Sequence, residues 1–138
     1  MTPLRHVSRL AGVQPALIGV IYRAAVLWTA LTGRMDAVVI ITEGIRSRER
    51  QHELVRLGKS QTMNSYHLVG KAIDVALAFD EGETVTWDFE VYRDFNECVQ
   101  QACDEFSVVV TWGGEWETLR DGPHFQLEMT SNESVRIV

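Results

Sequence analysis

Apolar residues recur along positions 16–31 at Leu17, Val20, Ile21, Ala24, Leu27, Trp28 and Leu31. Steps of three and four place them on one helical face. Pro15 stands where a first-turn proline is tolerated and Gly33 ends the pattern, so one buried helix is predicted there. The run AVVIIT at 37–42 is β-branched and of strand length. After the turn EGIRS, Ser47 can cap a charged helix, RERQHELVRL, which Gly58 closes. Residues 59–66 read as polar loop, and AIDVALAF at 72–79 has strand composition with weak alternation. DEGET at 80–84 is a turn, and Val85–Trp87 a short strand. Asp88 caps a helix from Phe89 to Glu105, followed by a strand over Ser107–Trp112, a GGEW turn, a loop at 117–123 and a last strand, HFQLE. Residues 4–11 fit a short helix, and the last dozen residues carry no clear pattern. The fold class is α+β or α/β, with a small sheet packed against helices.

Composition narrows this picture only a little. The 138 residues suit one domain, and no linker or internal repeat divides them. The net charge of -6 argues against a nucleic-acid partner held on a basic face, although Arg46, Arg48, Arg50 and Arg56 cluster. Cys98 and Cys103 lie five apart on a predicted helix, project from different faces and are expected as free, buried or half-buried thiols. The start, MTPLRHVSRL, lacks the apolar core of a signal peptide. Tyr22, Arg23 and Thr29 interrupt the most apolar stretch, which is expected as a buried helix and not a stable membrane span.

One residue breaks the hydrophobic pattern in an informative way. Asp74 sits between Ile73 and Val75 inside a predicted buried strand. A carboxylate there must be paired, hydrogen-bonded or metal-bound. If the chain folds back at Gly70, His67 can converge on Asp74, and His124, opening the final strand, can supply a third group. Two imidazoles and one carboxylate suit Zn²⁺, and three protein ligands with one water are the form of a catalytic site. Such an ion lowers the pKa of its water toward ~7 and polarises a carbonyl. The spacing by itself is not specific, and a turn-capping Asp74 beside a partly exposed His67 also fits it.

Several segments carry a resemblance. Ser65-Tyr66-His67-Leu68-Val69-Gly70-Lys71-Ala72-Ile73-Asp74 resembles the SxHxxGxAxD motif of the M15 family of zinc peptidases. Asp121-Gly122-Pro123-His124-Phe125 is similar to that family's second motif, and Glu43 to Gln51 to the stretch upstream of the first. Trp112-Gly113-Gly114-Glu115-Trp116 is similar to a turn of the L-alanyl-D-glutamate endopeptidase branch, which includes small phage endolysins. The similarity runs from Ala37 to Leu127. Aspartate at position 121, where other branches mostly carry glutamate, favours the endopeptidase branch, and Lys71 replaces a commoner arginine or polar residue and is expected to face solvent.

The resemblance implies an α+β fold of the Hedgehog/D-Ala-D-Ala peptidase-like zinc peptidase kind, with a small antiparallel sheet packed against helices. It implies Zn²⁺ held by His67, Asp74 and His124, with Asp121 as general base and acid and Arg46 on the substrate carbonyl or developing oxyanion. Ser65, Gln51 and Trp116 are the expected substrate-binding residues, with Ser65 equally suited to bracing its own loop. Trp112 fits cleft or core, and His6 and His52 are expected on the surface. The implied function is cleavage of the L-Ala–D-Glu bond in peptidoglycan stem peptides by a monomeric, single-domain phage endolysin without a wall-binding module. Made in the host cytoplasm, it would reach the wall through a membrane pore and lyse the cell. The alternatives are a D-Ala-D-Ala carboxypeptidase or dipeptidase of the same family, and a non-catalytic wall-binding or virion protein.

Overall fold

In the computed structural model, which describes residues 3–60, 65–117 and 120–128, a six-stranded sheet is built around one central strand. The strands are β1 (Leu4–Arg5), β2 (Val38–Glu43), β3 (Ala72–Phe79), β4 (Thr84–Thr86), β5 (Val110–Trp112) and β6 (His124–Leu127). They run in the order β1-β2-β3-β6-β5, with β4 also paired to β3. β2 lies along one edge of β3, while β6 (against Ala72–Asp74) and β4 (against Leu77–Phe79) share the other. The pairings are antiparallel except that β1 runs parallel to β2.

The helices are α1 (Pro15–Thr32), α2 (Arg48–Arg56) and α3 (Phe89–Phe106). α1 presents Leu17, Val20, Ile21, Ala24 and Trp28 to a core shared with Tyr92, Phe95 and Val99 of α3. The sheet contributes Val39, Ile41, Ile73, Val75, Leu77 and Phe125. Fully burying a side chain of this kind stabilises by ~1.5–3 kcal/mol. Phe95 meets Trp28 and Phe125 edge-on, at 6.0 and 5.4 Å between ring centres, so one aromatic ladder ties α1 and α3 to β6. α1 is long and apolar enough to cross a membrane by length and composition, and in this fold its apolar face lies in that core.

Strand alternation then separates two kinds of surface. Ile73 and Phe125 pair on the face toward the helices, so Asp74 and His124, the next pair along, lie on the opposite face. β3 is buried on both faces, which is why its alternation is weak in the sequence.

Caps fall where the sequence places them. Ser47 Oγ accepts from the Arg50 amide, Asp88 from the Glu90 amide, and Gly33 ends α1 at φ 68°. Two expectations need correction. Residues 4–11 form a two-residue strand and a 3₁₀ turn, Val7–Leu10, because Leu4 and Arg5 pair with Val39 and Ile40. The strand expected from Ser107 starts at Val110, because Ser107 takes the left-handed position that caps α3 (φ 56°). Of the expected loops and tail, positions 61–64, 118–119 and 129–138 lie outside the described residues.

Tyr92 closes the gap where β4 and β6 meet on β3. Its hydroxyl accepts from the Leu77 amide (3.1 Å) and donates to the Thr86 carbonyl (2.8 Å). Tyr92→Phe keeps the ring and leaves both backbone groups short of a partner. The expected loss is about 1–3 kcal/mol of stability, read from urea unfolding; an unchanged midpoint would show the hydroxyl to be idle.

Candidate metal centre

The segment carrying His67 is a hook. Ser65 Oγ accepts from the His67 amide (3.2 Å) and opens a 3₁₀ turn, Tyr66–Val69, that Gly70 ends at φ 70°. A Cβ on Gly70 would run into the Gly12 carbonyl, so a larger residue is excluded by both backbone conformation and space. The hook returns His67 over β3, where its Nε2 lies 3.2 Å from Asp74 Oδ1. His124 Nδ1 comes within 3.0 Å of the same oxygen. One potential ligand atom from each of the three residues lies within 4.8 Å of the others.

The outward-facing ring nitrogens reveal the tautomers. His67 Nδ1 is 2.8 Å from the Gly44 carbonyl, which can only accept, so Nδ1 carries the hydrogen. Gly44 can come this close because no Cβ separates it from the Arg9 carbonyl, where one would collide. His124 Nε2 is 2.9 Å from Gln126 Oε1, and the Gln126 amide nitrogen donates to Glu128 Oε1 (2.9 Å). That second bond orients the amide and assigns a hydrogen to Nε2. With both N–H groups turned outward, Nε2 of His67, Nδ1 of His124 and the Asp74 carboxylate converge as acceptors around one point. Only positive charge satisfies such a set. Protons and a metal ion compete for the place.

The electrostatics agree. Burial alone would raise the Asp74 pKa, yet the hydrogen bonds to His124 and His67 hold it well below the usual carboxylate range. Burial would lower His124, yet Asp74 holds it above the ordinary histidine value. Two imidazoles with fixed tautomers, one carboxylate and oriented outer hydrogen bonds fit a divalent transition metal.

Arg46 buttresses the centre from behind. Its side chain is 8% exposed. Nε and Nη2 donate to the Glu43 carboxylate (2.7 and 2.5 Å), and Nη1 donates to Gln51 Oε1 (2.7 Å) and Ser65 Oγ (3.4 Å). Nη2 also lies 3.7 Å from Asp74 Oδ2. Gln51 is fully buried and donates to Ser60 Oγ (2.8 Å). Gln51 and Ser65, the expected substrate-binding residues, hold Arg46, and Ser65 also holds the hook. Asp121 borders the site beside Gly113 and His124. Burial and then the charge of Asp74 push its carboxyl above the usual range, against the pull of His124, His67 and Arg46.

Trp116 stands at the mouth, its ring 5.0 Å from that of His124. It is part of a groove of about 590 Å³ that Phe89, Arg93, Glu97, Trp112 and Arg120 also line. Trp112 is buried as well, with Nε1 donating to the Gly122 carbonyl (2.7 Å), so it serves core and groove together. His6 and His52 are exposed, Cys98 and Cys103 are free and buried, and Lys71 is partly buried where solvent exposure is expected. Gly44, Glu43 and Gln126 are absent from the sequence-based site. The signal for Gln126 is its spacing of two from His124, which puts both on one strand face.

Comparison with known proteins gives a consistent set. The family model for phage L-alanyl-D-glutamate peptidases matches residues 3–131. An L-alanyl-D-glutamate peptidase of Listeria phage A118 is 42% identical over 64% of this chain and 30% of its own. The peptidoglycan L-alanyl-D-glutamate endopeptidase CwlK of Bacillus subtilis is 37% identical over 68% of this chain and 62% of its own. The chain thus spans less than two-thirds of either relative. The crystal structure of the Serratia marcescens L-Ala D-Glu endopeptidase ChiX superposes with a TM-score of 0.77, at 39% identity, over 91% of each chain.

A divalent metal supplied at about 100 times its Kd is expected to raise the unfolding free energy by roughly 2.7 kcal/mol, reversed by a chelator. Asp74→Ala is expected to abolish that gain. Thermal unfolding with and without chelator measures both, and a melting curve indifferent to either would remove the metal centre.

Proposed function

Because the chain belongs to the phage L-alanyl-D-glutamate peptidase family, we propose that it is a zinc-dependent peptidase that cuts the L-Ala–D-Glu bond of peptidoglycan stem peptides. The observation that carries this reading is the convergence of His67, Asp74 and His124, with both outward ring N–H groups already bonded, against Trp116 of the groove and close to Asp121. The proposed setting is lysis of a phage-infected cell, with action on the bacterial wall. The family description and the Listeria phage relative support it.

His67, Asp74 and His124 would hold the ion. When bound, zinc supplies a Lewis acid for the scissile carbonyl and lowers the pKa of water toward ~7. Asp121 is suited to proton transfer, because a partly buried carboxyl held above its usual range takes a proton from the attacking water and returns it to the leaving amine. Arg46 is assigned a positioning role. Its guanidinium is committed to Glu43, Gln51 and Ser65 and holds Asp74 from behind, which leaves little of it for the substrate carbonyl. The groove beyond Trp116 is where the stem peptide would lie, and Trp116, shared between groove and centre, orients it.

Digestion of purified peptidoglycan, with product ends identified by mass spectrometry, tests the reading. New N-terminal D-Glu that disappears with chelator is expected, whereas released D-Ala would point to the carboxypeptidase alternative. Asp121→Ala is expected to lower kcat by about 10²–10⁴-fold while zinc stays bound. Full activity in that variant would exclude Asp121 as the proton carrier.

A further inference from the structure

His124 and Gln126 stand on one face of β6, and Glu128 follows with the same spacing of two. Their side chains form a continuous row. His124 Nε2 donates to Gln126 Oε1 (2.9 Å), and Gln126 Nε2 donates to Glu128 Oε1 (2.9 Å). The row does not stop at the strand. The Tyr66 hydroxyl donates to Glu128 Oε2 (3.1 Å), and Tyr66 immediately precedes His67.

We propose that Gln126, Glu128 and Tyr66 are positioning residues for the metal ligands: a side-chain strap from the ring of His124 to the residue beside His67 that fixes the His124 tautomer and the spacing of the two histidines. This rests on the metal reading above. Every link has a donor facing an acceptor, and the whole row is oriented by the Glu128 carboxylate, which only accepts. Bonds to an ionised group are stronger than neutral ones. Gln126, turned by Glu128, offers its oxygen and not its nitrogen to His124. A ring nitrogen held as N–H on the outside leaves Nδ1 as the atom that faces Asp74.

The strap is separable from the fold. Tyr66, Gln126 and Glu128 are only partly buried, and the backbone beneath them is held independently: the Lys71 amide donates to the Tyr66 carbonyl (2.9 Å) and the Leu127 amide to the Lys71 carbonyl (2.7 Å). Truncating these side chains therefore alters ligand orientation more than stability. The hydrogen-bond pattern also predicts a rescue. In the exchange Gln126→Glu with Glu128→Gln, the new carboxylate accepts from His124 and from the position-128 amide, whose oxygen accepts from Tyr66. Net charge is conserved.

Zinc affinity of the full chain, measured by competition with a chromophoric chelator, is the test. Gln126→Ala is expected to weaken binding by about 10–100-fold, the range found for outer hydrogen bonds to metal ligands. Tyr66→Phe should weaken it less, and the pair together no more than Gln126→Ala alone, because the same strap is already cut. The Gln126/Glu128 exchange should return affinity to within a few-fold of the parent. Unfolding of the metal-free variants checks that each is folded, and Tyr66→Phe, which removes a single oxygen, stands in if Gln126→Ala is not. Parent-like affinity in Gln126→Ala, or in Tyr66→Phe where it stands in, overturns the strap while leaving the metal centre intact. A parent chain that binds no zinc overturns the metal reading, and the strap with it.

Discussion

The structure turns on a single oxygen. Asp74 Oδ1 lies 3.2 Å from a nitrogen of His67 and 3.0 Å from a nitrogen of His124, and both rings have their other nitrogen engaged elsewhere. An arrangement of this kind cannot be stable as three neutral or negative acceptors. It needs positive charge in the middle, which a proton or a metal ion can supply. The carbonyl of Gly44 and the amide of Gln126 impose that requirement by deciding which ring nitrogens point inward.

The rest of the molecule supplies rigidity for that point. β3 pairs Asp74 with Glu43 of β2 on one side and His124 of β6 on the other, so one row across the sheet carries the carboxylate, an imidazole and the anchor of Arg46. The adjacent row, Ile73 and Phe125, is pinned in the core under α1 and α3 through the ladder of Trp28, Phe95 and Phe125. A shift of one residue in either strand would send Asp74 or His124 into the core and core residues out of it, which makes the register expensive to change. His67 comes from a hook, and Gly70 and Ser65 set its shape. α2 carries none of the three residues of the cluster. It contributes Gln51, whose buried amide fixes Arg46 behind Asp74.

The division of labour between the two tryptophans follows from the same geometry. Trp112 ends β5, pairs with Phe125 and bonds the Gly122 carbonyl, so it locks the DGPH turn to the sheet. Trp116, past the 3₁₀ turn Gly113–Glu115, is released from the core and stands against His124 at the groove. Gly113 allows this close approach, since a Cβ there would press on the Asp121 carbonyl and the His124 side chain. Asp121, His124 and the groove wall at Trp116 are thus packed close together.

Local patterning was enough for much of this. The helical spacing of Leu17 to Trp28, the caps at Ser47 and Asp88, the β-branched run before Glu43 and the misfit of Asp74 in an apolar strand are all properties of neighbours in sequence, and each is realised in the fold. The fold-back at Gly70 that carries His67 toward Asp74 was legible because a turn closed by a left-handed glycine is itself local. What tertiary structure decided is long-range. The parallel pairing of Leu4 and Arg5, the hydroxyl of Tyr92 between two strands, the Gly44 carbonyl on His67 and the strap from Tyr66 to Glu128 join positions far apart in the chain. Arg46 and Gln51 show the limit most clearly. Sequence placed them near the centre, but only the fold shows that their polar groups are spent on each other and on Glu43, Ser65 and Ser60. Residue type and spacing determine which groups can meet, and the register of the sheet determines which way each of them faces.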